Sequence, residues 1–98
     1  MGSLLTSFFL KEFMNAVEKY EYCRRITKQT LDKAKALDKL GEELLEWARN
    51  YYNDAEHYYT KEDYATALEA VAYAHGFIDA GVISGHVEVK DYHLSKRS

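Results

Sequence analysis

Two histidines and two aspartates at helical spacing are the residues of this chain best suited to chemistry. Asp54 and His57 stand three apart, and His75 and Asp79 stand four apart. Either spacing puts the pair on one face of a helix. Imidazole and carboxylate groups brought together at a helix interface suit zinc or iron. A di-iron bundle, however, needs a Glu from each of two helices and a Glu-x-x-His from each of two more. Here Asp54-x-x-His57 has no second copy. The competing role is structural, in which His75 and Asp79 satisfy each other or a tyrosine hydroxyl inside an apolar core. Sequence therefore leaves a polar cluster of Asp54, His57, Tyr73, His75 and Asp79 between helices two and three, with no metal or cofactor assigned to it.

Aromatic residues form the second candidate surface. Tyrosine occupies nine positions, and a buried tyrosine ring leaves a hydroxyl that needs a partner. On the third helical segment Tyr73 and Phe77 point nearly opposite the expected core, so they require a cover. Phe8, Phe9 and Phe13 make the start of the chain apolar. Together these five are the expected interface, filled by a second copy or another protein.

Other chemistry finds no support. Cys23 stands alone, so no intrachain disulfide can form, and it reads as a small apolar residue rather than a nucleophile. There is no Gly-rich phosphate loop, no Gly-x-Ser-x-Gly elbow and no Cys-x-x-Cys pair. Six Lys or Arg lie between Arg24 and Lys39, yet the formal net charge is −3 and aromatics do not interleave with them. Nucleic acid is therefore not an expected partner. No apolar run reaches the roughly 20 residues of a membrane span. The first ten residues lack a basic region and a small-residue cleavage site, so no signal peptide is expected there. The expected location is the cytoplasm.

The elements that must position these groups follow from composition and period. Ninety-eight residues with no proline and only five glycines favour long helices in one domain. The expected fold is all-α, a three-helix up-and-down bundle with a long first helix from about Leu5 to Ala36. The second helix runs from about Leu40 to Tyr59, its core stripe being Leu44, Ala48, Tyr51, Ala55 and Tyr58, with Trp47 at the flank. The third opens at Thr60 with Asp63 reaching back as in a capping box, and continues to about Ile83. Its core line is Tyr64, Leu68, Val71, His75, Ile78 and Val82. Ala65, Ala72 and Gly76 flank one side, and Ala67, Ala74 and Gly81 the other, so this helix should lie between two neighbours. Residues 1–19 form an apolar extension of the first helix, 20–85 the bundle, and 86–98 a tail whose His86–Lys90 stretch alternates as an extended segment would.

The run from Ala48 to Tyr59, Asp63-Tyr-Ala-Thr-Ala-Leu-Glu-Ala, and Tyr73-Ala-His-Gly-Phe-Ile-Asp-Ala-Gly81 together resemble an archaeal family, domain of unknown function 357. The resemblance spans about residues 20–85. It implies a small helical bundle in an archaeal cytoplasm, directs attention to Asp54, Tyr73, His75 and Asp79, and implies no activity. A weaker likeness to one tetratricopeptide helix pair fails because a solenoid needs about three repeats. The expected function is a non-enzymatic interaction or oligomerisation module. The alternative is a metal- or small-ligand-binding bundle, and an enzyme is not the favoured reading.

Overall fold

A computed structural model describes residues 15–92 of the chain. Three helices dominate it: α1 (Ala16–Lys33), α2 (Lys39–Thr60) and α3 (Tyr64–Ile83). Two short strands, β1 (Lys35–Ala36) and β2 (Val87–Glu88), pair antiparallel with Lys35 opposite Glu88 and Ala36 opposite Val87. The chain is an all-α bundle carrying this one small clasp.

The unbroken first helix expected from Leu5 to Ala36 is corrected at both ends. Asn15 has an extended backbone, and its side chain accepts from the Glu18 N–H while the Glu18 carboxylate accepts from the Asn15 N–H. This capping box satisfies two free donors and starts α1 at Ala16. At the other end Ala34 leaves helical geometry, and Lys35–Ala36 are drawn into the clasp. The proposed apolar extension falls mostly on residues 1–14, outside the described residues.

Helices α2 and α3 form the antiparallel hairpin at the centre of the core. Thr60 ends α2 and donates its hydroxyl to the His57 carbonyl, so the expected cap at Thr60 is replaced by Asp63, whose carboxylate accepts from the Thr66 N–H. The turn closes as a Schellman motif: the Asp63 N–H reaches the Tyr58 carbonyl at 3.0 Å and the Glu62 N–H reaches Tyr59 at 2.9 Å. That geometry forces Glu62 to φ 63°. The end of α3 repeats the motif through His86 and Gly85, and there a glycine takes the left-handed position at φ 82°.

The buried faces are Leu45, Ala48, Tyr52 and Ala55 on α2, and Ala67, Ala70, Val71, Ala74, Ile78 and Gly81 on α3. The expected α2 stripe is thus rotated by one residue, since Tyr52 is buried while Tyr51 is half-buried and Tyr58 exposed. On α3 the alanine shoulder meets α2, because small side chains allow the backbones to approach closely. The His75 side of α3 turns to α1, which packs chiefly on α3 and touches α2 little. Helix α3 therefore lies between two neighbours, as its small residues require.

The clasp lies over the first turn of α2. A Cβ at Gly41 would collide with the backbone carbonyl of His86, so only glycine admits this crossing. Asp38 caps α2 through the Gly41 N–H and also meets His86 Nδ1 at 2.7 Å, which fastens the C-terminal strand to the start of α2. Val87 is buried beneath it. This route brings the following residues back across α3.

Candidate functional site

His75 and Asp79 occupy successive turns of α3 on the side that faces α1. Thr27 of α1 presents its hydroxyl to His75 Nδ1 at 3.3 Å. Past the clasp, Tyr92 lays its ring on the imidazole, with centroids 6.0 Å apart, and brings its hydroxyl to His75 Nε2 at 3.2 Å. The same hydroxyl donates to Asp79 Oδ1. Asp79 lies 3.8 Å from His75 Nε2 and is the acceptor that orders the set.

The hydroxyl of Tyr92 donates to the Asp79 carboxylate, so its oxygen accepts from His75 Nε2–H. On the other side of the ring Nδ1 and the Thr27 hydroxyl meet as partners. The outcome is a hydrogen-bonded chain of Thr27, His75, Tyr92 and Asp79. Burial, then the hydrogen bond to Asp79 and its negative charge, all raise the Tyr92 pKa and hold the phenol protonated.

A groove of about 300 Å³ between α1 and α3 borders this chain, its lining mostly apolar: Tyr22, Cys23, Ile26, Val71, Ala72 and Gly76, joined by Thr27, His75 and Asp79. Both imidazole nitrogens are engaged within the protein, Nδ1 by the Thr27 hydroxyl and Nε2 by the Tyr92 hydroxyl. Among the described residues, no three His, Cys, Asp or Glu side chains gather where a metal ion could be held.

The sequence-derived polar cluster is divided by the fold. His75 and Asp79 come together, but with α1 and the C-terminal segment rather than with α2. Asp54 and His57 are exposed on α2 and do not line the groove; the His57 ring rests 5.9 Å from Tyr58. Tyr73 belongs to a different face altogether. Two members of the hydrogen-bonded chain, Thr27 and Tyr92, were not singled out from sequence. Thr27 sits in the stretch where the apolar period of α1 weakens, and such a hydroxyl amid a helix face is the available signal.

The second candidate face lies on the other side of the α2–α3 hairpin from α1. Phe77 stacks against both Trp47, at 6.0 Å, and Tyr51, at 5.6 Å, and Tyr73 meets Tyr51 at 5.5 Å. Trp47 and Tyr51 are 6.3 Å apart, one turn of α2. The cover required for Tyr73 and Phe77 is thus supplied partly by α2. It is incomplete: Trp47 is 53% exposed and Tyr73 is 56% exposed. Four rings form an open aromatic ledge. Phe8, Phe9 and Phe13, the remaining expected interface residues, lie outside the described residues.

Among the described residues no helix is long and apolar enough to cross a membrane. A family model described as a protein of unknown function (DUF357) matches residues 9–87. No curated protein and no solved structure matches the chain.

Proposed function

We propose that this chain, which belongs to the DUF357 family, is a non-enzymatic helical interaction module whose working face is the ledge of Trp47, Tyr51, Tyr73 and Phe77. The observation that carries this role is the exposure of two large aromatic rings on a rigid helical hairpin. Aromatic side chains bury roughly 150–250 Å² each. Two of them about half exposed and two less than that leave roughly 200–450 Å² of apolar surface, approaching the largest patch of a typical monomer. That is at most about half of the ~800 Å² each partner buries in a standard interface. Tryptophan and tyrosine are also the residues that dominate binding energy at such faces.

The ligand-binding alternative requires His75 to offer a ring nitrogen. Both nitrogens are engaged by Thr27 and Tyr92, which favours a structural task for that residue. The ledge accommodates a second copy of the chain or another protein, and the setting of this role is an archaeal cytoplasm.

Native mass spectrometry of the full chain, purified without an affinity metal, tests the role. The expected spectrum holds multiples of the chain mass, or a bound partner chain, and returns to the monomer in a Trp47→Ala/Tyr73→Ala variant that still folds. A monomer with a stoichiometric small mass that is lost in His75→Ala would overturn it.

A further inference from the structure

The charges around the ledge select among its occupants. On a helix the nearest surface neighbours of a residue stand three and four positions away. Applied to the four ledge rings, that rule finds three charged neighbours, and all are acidic: Glu43 beside Trp47, Asp54 beside Tyr51, and Glu69 beside Tyr73. All three are exposed. Among the described residues none of the three takes part in an ion pair, whereas the basic run of α1 is partly neutralised elsewhere, Arg24 by Glu56 and Lys28 by Asp32.

We infer that the ledge receives an amphipathic helix of a partner protein whose apolar anchors are flanked by lysine or arginine. The inference rests on the interaction role proposed above and adds the chemistry of the partner. An apolar centre with a single-sign rim is complementary to an apolar stripe with the opposite rim, and like charges brought face to face are costly. A two-fold contact between two ledges would set an acidic rim against an acidic rim. The exposed, unpaired carboxylates of Glu43, Asp54 and Glu69 therefore disfavour a second copy and favour a basic segment. Rings presented from two antiparallel helices form a shallow seat, which suits the regular i, i+3, i+4, i+7 anchors of a bound helix.

Trp47 is the sole tryptophan of the chain and stands on the ledge, so its emission reports occupancy. The full chain is titrated with a synthetic, tryptophan-free helical peptide of about 18 residues, bearing leucines at that spacing and lysines beside them. A twin peptide carries glutamates instead of lysines. The lysine peptide should shift Trp47 emission to the blue and bind at least about tenfold more tightly than its twin at low salt, an advantage that shrinks as salt rises. Glu43→Lys, Asp54→Lys and Glu69→Lys combined should invert the order of the two peptides.

Equal binding of both peptides would overturn the basic-partner inference while leaving the interaction role standing. So would a wild-type chain that binds neither peptide but self-associates through Trp47. A red shift of Trp47 on replacing Phe8, Phe9 and Phe13 with serine in the full chain would name the chain's own start as the occupant, and would also overturn the inference. Absence of peptide binding together with absence of any assembly would overturn both.

Discussion

If His75 serves the fold, removing it must cost stability in an amount set by its two hydrogen bonds. His75→Ala deletes the bonds to Thr27 and Tyr92, each contributing about 1 kcal/mol net. It also leaves the Thr27 hydroxyl, on a residue only 2% exposed, without its imidazole partner, which costs about 1–3 kcal/mol. The sum is about 3–5 kcal/mol. A chain of this size loses about 4–8 °C of Tm per kcal/mol, so the melt should fall by roughly 12–40 °C. Thermal and urea unfolding followed by circular dichroism measure it. Thr27→Val alone should cost about 1 kcal/mol, and the double variant should cost at least about 1 kcal/mol less than the sum of the singles, because no hydroxyl is then stranded. A His75→Ala protein within about 0.5 kcal/mol of wild type would refute this, since a histidine held for binding is neutral or even stabilising to replace.

Three further outcomes follow from the same geometry. Glu62→Gly should raise stability by about 1 kcal/mol, read as a higher urea midpoint, because glycine takes φ 63° without the left-handed penalty that a Cβ carries. Tyr20 has a buried hydroxyl with no hydrogen-bond partner among the described residues and a pKa pushed up to about 12, chiefly by burial. The folded state thus prefers the neutral phenol, so its contribution is full below pH 10 and lost as pH rises toward about 12. Tyr20→Phe should be neutral or mildly stabilising at pH 7 and flatten that alkaline decline in Tm. The Asp38 carboxylate is held below its usual pKa, first by the Gly41 N–H and then by His86. Its stabilisation is present at neutral pH and lost as pH falls through that lowered value; Asp38→Asn should reduce the acid dependence of the melt and loosen the clasp.

Much of the architecture was legible in the sequence because the helical signals were local. The hairpin of α2 and α3, its short connection and the central place of α3 follow from alanine-rich periodicity. The face of α2 was not resolvable in the same way. Tyr51-Tyr52 and Tyr58-Tyr59 supply an aromatic to each of two adjacent lines, and the choice falls to Tyr52 and Tyr59 because α1 brings Tyr20 onto Tyr59, with centroids 4.8 Å apart. Asn15-x-x-Glu18 carries the capping box that starts α1, but Phe13 and Ala16 continue the apolar period across it, so periodicity alone runs the helix past this start. The surroundings of His75 were hidden for a different reason. Thr27 and Tyr92 stand 48 and 17 positions from it, and only the clasp, with its glycine crossing at Gly41, carries Tyr92 back to α3. The ledge was half visible: Tyr73 and Phe77 demanded a cover, but Trp47 and Tyr51 could be joined to them only once the hairpin register was known.

The measurement that bears most directly on the central claim is acrylamide quenching of Trp47 in free and partner- or peptide-bound fractions of the full chain. Trp47 should be readily quenched in the free chain and protected in the bound one, while the imidazole resonances of His75 stay unchanged. Equal quenching in both fractions, with the His75 resonances moving instead, would place the working face at the groove and contradict the account.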